Sequence, residues 1–124
     1  MPFGTNKSAG AQFDQELAAG KLTMREVWTK SWTVNTVGTQ LMTHAFAPLL
    51  LKSGDPRLLF IASGTSSLNQ SEDLSSPLNK VLPKGWPKTT GLQVNVPAYR
   101  SAKAGMNMMM RYVCPSTTYR SWRC

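Results

Sequence analysis

One run in this chain reads as a β-strand, and only one: Arg57-Leu58-Leu59-Phe60-Ile61-Ala62-Ser63. It is short, apolar and bounded by turn residues, the pattern of a strand buried on both faces. Such strands belong to parallel sheets covered by helices. A lone strand cannot make a sheet, because its backbone donors and acceptors would go unpaired. The flanking segments read as helices, so the order is helix, strand, long loop, helix. That order is α/β logic, and the chain reads as the middle of a larger α/β domain.

The first helix has a well-marked start. Thr23 and Glu26 form a T-x-x-E capping box, in which each side chain satisfies a backbone N–H of the other's turn. Val27, Trp28, Ser31, Trp32, Val34 and Asn35 begin an amphipathic pattern that Val37, Leu41, Ala45, Leu49 and Leu50 continue. A break is expected around Asn35 to Gly38, where Val, Thr and Gly are weak helix formers. Pro48 bends the last turns, and Lys52-Ser53-Gly54-Asp55-Pro56 stops the helix. Residues 1–20 read as a loop rich in Gly, Ala and polar residues. Residues 64–96 form a long polar loop with Pro77, Pro83 and Pro87, a length that is often functional. Pro97 opens a second helix through Tyr99, Ala102, Met106, Met109 and Met110.

Composition narrows the class. A length of 124 residues fits one small domain, with 41% hydrophobic residues and a mean hydropathy of -0.26. The longest apolar stretch, Ala45 to Leu51, contains Pro48 and is far shorter than the roughly 20 residues a membrane span needs. No membrane partner and no secretory signal are expected. Cys114 and Cys124 cannot make a disulfide framework, and no metal site is expected from them. The default is a soluble, reduced, cytoplasmic chain. The net charge is +8, and its distribution is uneven. Residues 1–79 balance acid against base, and no acidic residue follows Asp73. Lys80, Lys84, Lys88, Arg100, Lys103, Arg111, Arg120 and Arg123 carry the excess. A basic half can mean nucleic acid, an acidic ligand or an anionic surface. Nucleic acid is disfavoured, because the charges neither cluster on one helix face nor form a known reader motif.

Three placements carry chemistry. Tyr99 and Lys103 lie four apart on a helix and share a face. Ser63 ends the strand, where open α/β sheets place their ligands. Asn35 falls at the irregularity of the long helix. The Ser, Tyr, Lys and Asn in this order resemble the tetrad of the short-chain dehydrogenase/reductase family. The resemblance runs over about residues 8–112. Its best text is Val34-Asn35-Thr36-Val37-Gly38, then Leu58-Leu59-Phe60-Ile61-Ala62-Ser63, then Tyr99-Arg100-Ser101-Ala102-Lys103-Ala104.

That resemblance implies a partial Rossmann-like, doubly wound fold and an NAD(P)-dependent oxidoreductase acting on a small carbonyl or alcohol. It implies Tyr99 as the acid/base. A free tyrosine has a pKa of about 10, and a nearby ammonium such as that of Lys103 favours the phenolate. Ser63 would donate to the substrate oxygen. Asn35 would hold a water linking Lys103 to solvent. Asn35, Tyr99 and Lys103 would also face the cofactor, NAD or NADP, and Lys103 would bond the nicotinamide ribose. Ala9 and Gly10, in Lys7-Ser8-Ala9-Gly10, match the second half of the family's N-N-A-G turn. The two long helices imply pairing between copies.

The departures are equally specific. The family opens on a strand and a T-G-x-x-x-G-x-G loop that approaches the cofactor pyrophosphate. Gly4, Gly10 and Gly20 are too widely spaced to supply it. Residues 113–124 are unmatched, apart from a faint echo of a P-G turn at Val113-Cys114-Pro115-Ser116. A chain shortened at both ends is expected to fold marginally, since ordering costs roughly 1–2 kcal/mol of backbone entropy per residue. It is also expected to be inactive by itself. The alternative is a non-catalytic fragment that binds a protein partner or a polyanion. Trp28, Trp32 and the Met106–Met110 cluster read as packing or subunit contacts, and His44 as structural. Leu74, Leu78, Val81, Leu82, Trp86 and Leu92 could line a substrate pocket, but each singly reads as loop packing.

Overall fold

The computed structural model describes residues 11–88 and 91–114. Its frame is helical: α1 (Gln12–Ala18), α2 (Met24–Trp32), a π-helical segment (Thr33–Val37), α3 (Gly38–Leu50), α4 (Leu92–Asn95) and α5 (Pro97–Val113). Helix α5 lies against α1, α2 and the π segment.

The long helix begins where its sequence says it should. Thr23 Oγ1 accepts the Glu26 N–H at 3.3 Å, and the Thr23 N–H donates to Glu26 Oε2 at 2.8 Å. The expected break is a π segment rather than a stop. The Gly38 N–H bonds back to the Thr33 carbonyl, a wider turn than α. A Cβ on Gly38 would lie 3.0 Å from that carbonyl oxygen, so the glycine of Asn-x-x-Gly permits the close approach. Pro48 sits inside the last turns of α3.

Two expectations are corrected. Residues 1–20 are not all loop, because α1 occupies Gln12–Ala18. It ends in a Schellman motif: Gly20 is left-handed at φ 72°, with Lys21 N–H donating to Glu16 O and Gly20 N–H to Leu17 O, both at 2.9 Å. A tertiary tie described below holds this short helix, which propensity alone would leave marginal. The second correction concerns residues 57–63. They run extended, but no strand of two or more residues forms among the described residues. Leu59 and Ile61 are 78% and 77% exposed, against the burial on both faces that the apolar run implied. The physical reason is the one that made a lone strand incomplete: no described strand or helix covers this side of it.

The long loop is more ordered than its composition suggests. It carries 3₁₀ turns at Gly64–Ser66, Asn69–Glu72 and Pro77–Asn79, then α4. Leu92 is buried as loop packing requires, while Leu74, Val81 and Trp86 stand in solvent. Trp32 packs by its ring edge over Gly105 and Met106 is buried, so these residues act as packing, as expected. Met108 is exposed. No helix among the described residues is long and apolar enough to cross a membrane. Ala9 and Gly10 lie outside the described residues.

Candidate active site

Helix α5 carries Tyr99 and Lys103 one turn apart, and its start is fixed by a distant residue. Asp14 Oδ1 accepts the Ala98 N–H at 3.0 Å and Oδ2 accepts the Tyr99 N–H at 3.1 Å. These are first-turn N–H groups that a helix leaves without internal partners. Asp14 is fully buried. Burial pushes its carboxyl above the ordinary value near 3.8, while the two backbone bonds pull it down and recover only part of that. Val96, which leads into α5, has φ 39°, a left-handed geometry that is strained for a β-branched residue.

Lys103 Nζ donates to the Ile61 carbonyl oxygen at 2.8 Å and stands 6.0 Å from the Tyr99 ring centroid. One bond therefore ties α5 to the extended run that ends in Ser63. Asn35 is 8% exposed. Its Nδ2 donates to Ser31 O at 2.9 Å, and its carbonyl accepts from Thr39 Oγ1 at 2.9 Å. Asn35 and Lys103 line one cleft of about 560 Å³, together with Thr43, Phe46, Phe60 and Met106. Thr36 Oγ1, one residue on from Asn35, donates to the Ala102 carbonyl at 2.8 Å and locks the π segment to α5. Tyr99 and Ser63 are not among the residues lining that cleft. The Ser63 hydroxyl bonds to Thr65 Oγ1 at 2.8 Å, and the Ser63 backbone opens the first 3₁₀ turn.

Arg100, next to Tyr99, fastens the long loop to the same helix. Its Nε donates to Thr65 O at 2.8 Å, Nη1 to Leu78 O at 2.9 Å and Nη2 to Asn79 Oδ1 at 2.7 Å. Asn79 Nδ2 in turn donates to Gln70 O and Asp73 O. Asp14, Thr36, Asn79 and Arg100 thus build the site's frame, and none of them stands out by motif. The signals the sequence carries are the positions of Thr36 inside Val34–Gly38 and of Arg100 inside the Tyr-x-x-x-Lys text.

The chain is 49% identical over 104 residues to the short-chain dehydrogenase/reductase eupG of a Phoma species, covering 82% of this chain and 36% of that protein. The chain belongs to the short-chain dehydrogenase/reductase family. A second relative, the short-chain dehydrogenase/reductase tropE of Talaromyces stipitatus, is 46% identical over 94 residues, 76% of this chain and 35% of its own length. The chain spans about a third of the length of the curated relatives it matches. No family model matches it, and no solved structure matches it.

Proposed function

We propose that this chain carries the proton-transfer part of an NAD(P)-dependent oxidoreductase that interconverts a carbonyl and an alcohol in a small molecule. The observation that carries the reading is the pairing of Tyr99 with Lys103, whose ammonium is held by Ile61 O at 2.8 Å and 6.0 Å from the Tyr99 ring.

The residues fit the nicotinamide-ribose end of such a cofactor. An ammonium has three N–H donors; Ile61 O takes one of Lys103's, leaving two for ribose hydroxyls. A cleft of about 560 Å³ lies within the ordinary size of small-molecule sites. When bound, the nicotinamide supplies or takes up the hydride. Tyr99 gives its phenolic proton to the oxygen of a reduced carbonyl, or removes it from an alcohol. The Lys103 ammonium stabilises the phenolate left behind. When Thr65 donates to Ser63 Oγ, the Ser63 proton is free to bind the substrate oxygen and hold it for transfer. Asn35 offers Oδ1 as an acceptor for a water in the cleft it shares with Lys103. The extended run at residues 57–63 takes the place of a sheet strand in a doubly wound fold. The exposed Leu41 and Leu49 of α3 support pairing of long helices between copies. The isolated chain binds cofactor without turnover in this reading, because residues for the pyrophosphate end are not among those that frame the cleft.

Titration of the purified chain with NADPH and NADH, read by cofactor fluorescence, tests the proposal. Saturable binding that weakens at least about tenfold in Lys103→Ala, which removes the charged donors directed at the ribose, supports it. A soluble, folded chain that binds neither cofactor overturns it.

A further inference from the structure

The reading above leaves the basic loop tip at residues 80–88 without a role. Lys80, Lys84 and Lys88 lie along it, and no acidic residue follows Asp73. Every residue from Pro83 to Pro87 is exposed. Trp86 is 85% and Val81 80% exposed. The tip is nevertheless held in place. Asn95 Nδ2 donates to Leu78 O at 2.8 Å and Lys80 O at 3.3 Å, gripping its base. Leu82 is seated so closely on Gly91 that a Cβ there would collide with it. Lys88 Nζ donates to Pro83 O at 2.6 Å and closes the turn. Leu82 therefore faces the protein while Val81 and Trp86 are kept in water.

We propose that this tip docks on an anionic lipid surface, with Trp86 and Val81 entering the headgroup region and Lys80 and Lys84 meeting headgroup phosphates. Three features select a lipid surface over a protein partner. The exposed residues run continuously from Pro83 to Pro87, which suits a soft, flat surface. Tryptophan with flanking lysine is the side-chain pairing that prefers the membrane interface. Pro83 and Pro87 lack N–H groups, so the turn presents fewer backbone donors to desolvate. Each lysine near an anionic leaflet strengthens partition about fivefold; residues 80–88 hold no carboxylate, and Asp73 lies behind them, bonded through its carbonyl to Asn79 at the base of the tip. Docking of this kind is peripheral and needs no spanning helix. It stands independently of the oxidoreductase reading.

Co-sedimentation of the whole chain with phosphatidylcholine vesicles, with and without phosphatidylserine, tests it. The expected result is partition onto the phosphatidylserine vesicles that falls as salt rises. Lys80→Gln with Lys84→Gln should weaken it about 25-fold. Trp86→Ala should weaken it about tenfold, because it removes the interfacial anchor. Both changes fall on exposed side chains, and unchanged circular dichroism would establish that the fold is kept. Brominated lipid should quench the wild-type fluorescence more than that of Trp86→Phe. Equal binding to neutral vesicles, indifference to Trp86→Ala, or capture by soluble polyglutamate as strong as by the vesicles would each overturn the proposal.

Discussion

The carboxylate of Asp14 accepts the backbone N–H of Tyr99 at 3.1 Å, joining residues 85 positions apart. With the Ala98 bond at 3.0 Å, it caps the helix that bears Tyr99 and Lys103. Replacing Asp14 by Ala strips two buried N–H groups of a charged acceptor, a loss of about 2–4 kcal/mol. Asp14→Asn keeps one acceptor oxygen and should cost less. The pH dependence has a definite sign. The folded-state pKa is raised, so this group's contribution is fully present below the ordinary carboxyl value and is lost as pH rises through the folded value. Urea titrations of both proteins across the acid range should therefore show the wild-type advantage over Asp14→Asn narrowing as pH rises.

Gly105 lies under the Trp32 ring, and a Cβ there would sit 2.6 Å from Trp32 Cη2. That is closer than side chains pack, so Gly105→Ala must push the ring aside. The ring edge can yield, since Trp32 is partly exposed. The expected cost is about 1 kcal/mol, at the low end for overpacking. Chemical denaturation should record it, and Trp32→Leu with Gly105→Ala should recover part of it.

The residues that announce themselves locally were legible. The T-x-x-E capping box marks the start of α2, and Asn-x-x-Gly marks the irregularity, because Gly38 alone tolerates the Thr33 carbonyl at that distance. The shared face of Tyr99 and Lys103 could be read from spacing, since residues four apart lie one turn apart on any helix. The strand character of residues 57–63 was legible as composition but did not become a sheet. Strand pairing requires a neighbour, which one run cannot specify. Helix α1 was not legible, because Gln12–Ala18 is too short to stand by propensity and is tied down by Asp14 across 84 residues. The roles of Arg100 and Asn79 were hidden for a similar reason: their partners are mostly backbone carbonyls, which carry no sequence signature.

Arg100 holds Thr65 and Leu78 by their carbonyls and Asn79 by its side chain. Arg100→Ala should free the loop between them while leaving α5 helical, since Arg100 lies on its solvent-and-loop side and Ala favours helix. Three bonds, each modest after exchange with water, add to a few kcal/mol of local closure. Amide exchange at Ser71 and Asn79 should accelerate at least about tenfold, with Met106 in α5 unchanged. Arg100→Lys should recover little of the protection, because a single ammonium cannot reproduce the planar fork that reaches all three acceptors.

Tyr99 and Lys103 should separate cleanly in binding. Lys103 supplies donors toward the cleft it lines with Asn35, whereas the Tyr99 hydroxyl acts on substrate oxygen in the proposed reaction. Tyr99→Phe keeps the ring that stands 6.0 Å from Lys103 Nζ and removes only the proton. Cofactor affinity should stay within about twofold of wild type, because the phenolic proton serves the substrate oxygen rather than the cofactor. Lys103→Ala should weaken cofactor binding at least about tenfold and also release Ile61 O, so the extended run loses its tie to α5. Lys103→Arg keeps the charge but not the compact geometry, and should preserve the tie better than the affinity. Parallel fluorescence titrations of the three variants check the division of labour. Equal loss of affinity in Tyr99→Phe and Lys103→Ala would mean that the phenol, not the ammonium alone, holds the cofactor.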